Sequence, residues 1–265
     1  PLNQIPDYES ELEIRLFTNE DIPKAMQLLT QSQRKFYVHC ARDEQIWKMQ
    51  QETGIASADK FEGYTIEKDG EMVAYIRIGE RPENKELILR EATDVERCTG
   101  EAILKFLKEV GKQRGLETLV SRISHYDFLT EQLVTIGAVK SVPPYAWQIR
   151  VVDYVKLFQK MKPLFEKRLA TSSYRHTTDK LDFNFYRYIV QIIVEDSAIT
   201  SIQKLESTED RTIRVNPQVF TQLLLGHRSR EELENTYPDF IIRQNRKQLI
   251  DVLFTKLPSH VHSAY

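Results

Sequence analysis

The sequence has few cysteines and almost no excess charge, and both absences exclude whole classes of protein. Only two cysteines, Cys40 and Cys98, occur among 265 residues, too few for a disulfide framework or a cysteine-rich zinc site and typical of a reducing compartment. Lys and Arg number 37 against 39 Asp and Glu, for a formal charge of −2. No field of one sign therefore favours nucleic acid as a partner, and we expect a cytoplasmic protein.

Long hydrophobic runs are also absent. No apolar run approaches the ~20 residues of a membrane-spanning helix, and no charged-then-apolar signal segment opens the chain. The hydrophobic fraction of 41% is nevertheless enough for packed cores. The length predicts two domains, at roughly 150 residues each. Because the first residue is Pro1 and not Met, we expect the chain to be part of a longer protein.

The first half of the chain has the pattern of an α/β domain. Residues 1–11 read as an extended linker, because two prolines lie among polar residues. Residues 12–145 predict the order β-α-α-β-β-β-α-β-α. The clearest local signal is the hairpin over 63–78, where Asp69-Gly70 separates two β-rich arms and the glycine accepts positive φ.

The second half, 146–265, predicts a smaller α+β domain. A strand is expected over Trp147–Val152 and a helix capped by Asp153, which Pro163 should kink or break. A strand over Leu181–Ile189 would place two phenylalanines on one face and two tyrosines on the other. Those aromatic residues either pack in the core or line a groove for an apolar ligand; they are Phe183, Phe185, Tyr186 and Tyr188.

One short motif before a predicted helix carries a resemblance. The sequence Arg97-Cys98-Thr99-Gly100-Glu101-Ala102 fits the acetyl-CoA pyrophosphate loop of the GNAT acetyltransferase superfamily: Arg or Gln, two residues, Gly, one residue, Gly or Ala. Free backbone N–H groups and the positive end of a helix favour phosphate. The resemblance implies acetyl-CoA as the cofactor, with Arg97, Thr99, Gly100, Glu101 and Ala102 binding it. Glu96 and Glu101, however, would repel phosphate.

The second half resembles acetyltransferases of the enhanced-intracellular-survival (Eis) type. The run YAWQIRVVDYVKLFQKMKPLFEKRL is similar to their interdomain joint, and Phe220–Leu225 with the following GHRS and EL is similar to their C-terminal domain. The resemblance implies a sterol-carrier-protein-like domain here and a catalytically silent central GNAT domain in 12–145, in keeping with Arg42-Asp43-Glu44-x-x-Trp47. It further implies that a GNAT domain that binds acetyl-CoA precedes this chain. It also implies that the acceptor substrate is an amine and that the protein forms a homo-oligomer.

Catalytic candidates are few. The GNAT general acid, usually a tyrosine, falls on Leu133, which cannot protonate a leaving thiolate. Tyr126 with His125 offers a substitute acid or base. In Eis-type enzymes the terminal carboxylate acts as a base, which makes Tyr265 a candidate. His260 and His262 are too few ligands for a zinc site, so no metal is expected.

Three hypotheses follow from these residues. The chain is part of an N-acetyltransferase and frames its acceptor site, or residues 12–145 are an active single-domain enzyme that uses Arg97–Ala102. In the third, the chain is a non-catalytic module that binds an apolar ligand or a protein partner.

Overall fold

The computed structural model describes residues 1–53, 61–140, 149–206 and 213–260. The chain divides into two compact units, one of Pro1–Pro143 with His260–Tyr265 and one of Pro144–Ser259. Each unit has a hydrophobic core of its own. No helix in the described ranges is long and apolar enough to cross a membrane.

The first unit is a five-stranded sheet with helices on both faces. The strand order is β1-β3-β4-β5-β6, antiparallel except for the parallel pair β5–β6. The predicted order of elements is confirmed, with one short strand added as β2. The elements are β1 (Glu13–Leu16), α1 (Ile22–Gln33), β2 (Val38–His39), α2 (Glu44–Thr53), β3 (Glu62–Lys68), β4 (Glu71–Arg81), β5 (Glu86–Ala92), α3 (Arg97–Gln113), β6 (Thr118–Ser121) and α4 (Phe128–Thr135).

The predicted hairpin is confirmed at the turn between β3 and β4. Asp69 and Gly70 both have positive φ, at 53° and 78°, and Lys68 pairs with Glu71 across them. A two-residue turn of this kind matches the right-handed twist of the flanking strands. The apolar arms then supply the centre of the sheet, where Ile66 and Ile76 are fully buried.

The N-terminal segment is not the predicted linker. Leu2 and Ile5 are 2% and 3% exposed and belong to the core of the first unit. The Lys108 ammonium donates to the carbonyl of Ile5 at 2.6 Å, and the backbone N–H of Leu2 donates to the carbonyl of Glu117. The prolines that suggested a linker therefore lie in a segment that packs along α3, which we call the N-terminal strap (residues 1–8).

The second unit is a five-stranded sheet of order β11-β10-β7-β8-β9 with four helices in its described part. The pairs β7–β8 and β8–β9 are antiparallel, whereas β10 runs parallel to β7. Its elements are α5 (Tyr154–Ala170), β7 (Asp179–Asn184), β8 (Ile189–Glu195), β9 (Ala198–Leu205), β10 (Ile213–Arg214), α6 (Pro217–Leu224), α7 (Arg230–Thr236), β11 (Ile241–Ile242) and α8 (Lys247–Leu253). The last described residue, His260, belongs to the first unit, where β12 (Ser259–His260) pairs with β2.

Three expectations for the second half were wrong in part. Helix α5 continues through Pro163, because Pro163 and Gln159 are exposed and water can reach the carbonyl that lacks a donor. The predicted strand over Leu181–Ile189 ends at Asn184, since Tyr186 has a φ of 66° and turns the chain. Residues 149–152, the described part of the predicted strand Trp147–Val152, are not in a strand.

Candidate functional site

Two loops follow the carboxyl ends of the parallel strands β5 and β6, and we call the space beside these strand ends the crevice. The two strands are paired as far as Leu89 and Ser121, and β5 then continues to Ala92 paired with β4. Arg90 is the extra residue of a β-bulge on β5, between residues that pair with β4. Ligands of open α/β sheets bind outside the carboxyl ends of parallel strands, so the loops that follow β5 and β6 form the candidate site.

The predicted phosphate loop lies at the start of α3, beside this crevice. Arg97 is the first residue of α3, and Gly100 and Ala102 are buried within its first turns. The Arg97 side chain is 81% exposed and donates to Glu101 at 2.9 Å. The structure thus brings the five predicted cofactor residues together on one helix end, with the arginine held by a carboxylate.

Gly100 is in contact with α4. A Cβ built on Gly100 would overlap the amide of Gln132, whose carbon would be only 2.9 Å away. The Gln132 amide nitrogen donates to the carbonyl of Arg97 at 3.2 Å. Glycine at this position therefore permits the side chain of Gln132 to lie against the backbone of α3.

A charged cluster joins the loops that follow β5 and β6, and sequence analysis missed it. The Lys35 ammonium lies 2.7 Å from an Asp94 oxygen and 2.8 Å from an Asp127 oxygen. It also donates to the carbonyl of Tyr126 at 2.9 Å. Burial raises the pKa of Asp127, and Lys35 opposes that rise. The second Asp94 oxygen accepts from the N–H of Phe128, at the start of α4, so this cluster fixes the crevice loops to each other.

Tyr126 lies in the loop between β6 and α4, at the rim of the same crevice. Its ring is 6.2 Å from Phe36 and 3.9 Å from His125, and the residue is 44% exposed. Phe36 also contacts the ring of His260, at 5.5 Å. Leu133, at the position of the family's acid, is buried in the core. Tyr265 and His262 lie outside the described residues.

A second missed cluster is buried beneath α2. Glu91 accepts from Arg42 at 2.9 Å and from the Tyr75 hydroxyl at 2.6 Å. The guanidiniums of Arg42 and Arg77 lie 4.3 and 4.4 Å from the Trp47 ring. Burial raises the pKa of Tyr75 well above its ordinary value, so its hydroxyl stays protonated as a donor. The signal in the sequence for this cluster was a charged residue within each of two apolar strands: Arg77 in β4 and Glu91 in β5.

The aromatic residues of the second unit fill a core. Phe183 and Phe185 are 0% and 2% exposed, and the Tyr154 ring stacks on Phe185 at 4.4 Å. Phe220 lies 5.3 Å from both phenylalanines. The core hypothesis therefore describes these two residues, whereas Tyr186 is exposed at a turn.

Basic residues near α7 are engaged in ion pairs. Arg230 binds both carboxylate oxygens of Asp251 at 2.9 Å and also pairs with Glu234. Within the described ranges, no three His, Cys, Asp or Glu side chains gather around a possible metal position.

Comparisons with known proteins identify the fold. No protein-family model and no curated protein matches the sequence. Among solved structures, a probable N-acyltransferase of unknown function from Enterococcus faecalis V583 aligns with a TM-score of 0.67 at 14% identity, covering 100% of this chain and 65% of its own. A GCN5-related N-acetyltransferase from Anabaena variabilis aligns with a TM-score of 0.61 at 12% identity, covering 100% and 66%.

The chain has a GNAT-like α/β fold. A third protein, a GCN5-related N-acetyltransferase from Kribbella flavida, aligns over 96% of this chain with a TM-score of 0.58 at 11% identity. Sequence identity this low concerns the fold and leaves chemistry to the site. The chain spans 61–66% of the length of these three proteins.

Proposed function

We propose that this chain is part of an acyl-CoA-dependent N-acetyltransferase of the Eis type. Its first unit would be the central GNAT domain and its second unit the sterol-carrier-protein-like domain. The observation that carries the proposal is the alignment of the whole chain, 100% of it, with 65% of a probable N-acyltransferase. A single-domain GNAT enzyme would leave the second unit of this chain unmatched.

The remaining third of such a protein would hold acetyl-CoA. In the proposed enzyme, a neutral amine attacks the thioester carbonyl and a base takes the amine proton; the C–S bond breaks, and CoA leaves as a thiolate that an acid protonates. This chain would frame the amine acceptor and support assembly into a homo-oligomer. Leu133 in place of an acid, and Lys35 bound within the crevice, support a non-catalytic first unit. The carboxylate of Tyr265 remains a predicted base for the neighbouring domain.

The test compares this chain with the full product of its gene. Each protein is incubated with acetyl-CoA and a panel of amines that includes an aminoglycoside, a polyamine and a lysine peptide, and release of free thiol is measured. We expect thiol release that depends on the amine from the longer protein and none from residues 1–265. The absence of turnover by the longer protein with every amine would instead favour a binding or assembly module.

One observation favours a second candidate, the single-domain enzyme. The start of α3 follows the carboxyl end of β5, next to the end of β6, which is where open α/β sheets bind their ligands. In that case residues 1–265 alone would release thiol, and Arg97→Glu would abolish the release.

A further inference from the structure

Gly100 faces the side chain of Gln132 and not an open surface. It lies in the first turns of a helix of 17 residues and is buried. The amide group of Gln132 occupies the position that a side chain on residue 100 would take. Glycine thus serves a close approach between helices α3 and α4.

The groups around Gly100 that a phosphate would bind are already used in contacts within the protein. A glycine in a phosphate loop lets the backbone come close to the anion, but here that approach is made by Gln132. The N–H of Gly100 donates to the carbonyl of Glu96 at 2.9 Å and is therefore used within the helix.

Charge at the helix end also disfavours an anion. The Arg97 guanidinium is paired with Glu101, and Glu96 lies at the N-cap without capping the helix. A phosphate would meet two carboxylates and one cation. Both carboxylates would repel the phosphate, and the helix end offers only a partial positive charge to attract it.

We infer that Gln132 closes the phosphate loop of this chain, so that Arg97–Ala102 is a helix-packing element and does not hold an acyl-CoA. The inference rests on the proposed function, in which the cofactor is bound by a different domain. It goes further by naming the contact that makes this unit silent. Removal of that contact should uncover the surface of Gly100.

The first experiment is a calorimetric titration with CoA as the probe. We expect no saturable binding by the wild-type chain, saturable binding by Gln132→Ala, and loss of that binding in Gln132→Ala/Arg97→Glu. Gln27→Ala, the same change at an exposed residue of α1, is the matched control and should behave as the wild type.

Two results would overturn the inference, and they differ in what else they change. If the wild-type chain binds CoA in a manner that depends on Arg97, the loop is open and the proposed silent unit also fails. If Gln132→Ala binds no CoA, Gln132 is not what closes the loop, while the proposed function still stands or falls by the thiol-release assay.

A second measurement keeps the inference testable if the variant is poorly folded. Gly100→Ala is made in the wild type and in Gln132→Ala, and the melting temperature is compared. We expect the methyl group to lower the melting temperature in the wild type, because it displaces Gln132. In the Gln132→Ala background it should raise the melting temperature, because alanine favours a helix over glycine. An equal loss in both backgrounds would contradict a packing role for Gly100.

Discussion

At the residue scale, Lys35 is the side chain that holds the loops after β5 and β6 together, through Asp94, Asp127 and the carbonyl of Tyr126. Burial works to lower the pKa of Lys35, but hydrogen bonds to Asp127 and Asp94 outweigh it, so its pKa in the folded state lies above the ordinary value of 10.5. Stability from a cation with a raised pKa is fully present below the ordinary pKa and is lost as the pH rises through the folded-state value. We therefore expect Lys35→Met to lower the free energy of unfolding by about 1 kcal/mol at neutral pH, and this deficit to shrink above pH 10.5.

The measurement is urea denaturation of wild type and variant from neutral to strongly alkaline pH. Lys24→Met, at an exposed position of α1, the helix that ends just before Lys35, is the control and should be close to neutral in effect throughout. A Lys35→Met deficit that does not vary with pH would show that the side chain contributes through packing of its methylene groups and not through its charge.

Residues whose partners lie close in sequence could be predicted, and those with distant partners could not. Asp153 caps its helix as expected and accepts from the N–H of Lys156; Asn216 caps α6 in the same way, through the N–H of Gln218. Arg42 reaches Glu91 across 49 positions, and Lys35 reaches Tyr126 across 91. Periodicity carries no information about such pairs, because it reports only whether a position faces a core.

At the element scale, the N-terminal strap is a structural part of the first unit. The Leu2 side chain lies against Gly111 of α3, where a Cβ would overlap a methyl group of Leu2. Truncation of a buried leucine removes transfer energy and leaves a cavity. We expect Leu2→Ala to lower the free energy of unfolding by about 2–3 kcal/mol, measured by urea denaturation.

Leu16→Ala is the control for this prediction, since Leu16 is 61% exposed and its truncation should cost little. Equal, small effects of both substitutions would mean that the strap does not contribute to the core in solution. The strap also explains an error of sequence analysis: proline and polar residues mark a break in regular structure, but they do not exclude burial of a leucine and an isoleucine between them.

Elements with a local signal were found, and short ones were not. The hairpin has a turn of its own, and α3 has an apolar stripe of its own. The two-residue strands β2 and β11 have none, because their pairing is decided by the neighbouring segment of the chain. Helix α5 shows the reverse case, in which a proline with an exposed preceding turn does not end the helix.

At the scale of the whole molecule, fold and site lead to different statements about function. The fold is similar to that of larger GCN5-related N-acetyltransferases, yet the side chain of Gln132 lies against the glycine of the loop that would hold a cofactor. Such a division is expected where one domain carries the chemistry and others shape the acceptor pocket, since function resides in sites and not in folds.

The second unit allows the remaining class of function, binding of an apolar ligand, to be tested directly. Phe158 lies in the middle of its core, with rings of Phe165, Phe183 and Phe220 at 5.9, 5.4 and 6.1 Å. Because these rings fill the space between α5 and the sheet, we expect a fluorescent fatty acid to show no saturable binding to the wild-type chain.

Phe158→Ala should lower the free energy of unfolding by about 3–5 kcal/mol, whereas Tyr186→Ala, at an exposed turn, should cost much less. Saturable binding by the wild type that Phe158→Ala weakens would identify this core as a ligand site and favour the binding module over the acetyltransferase.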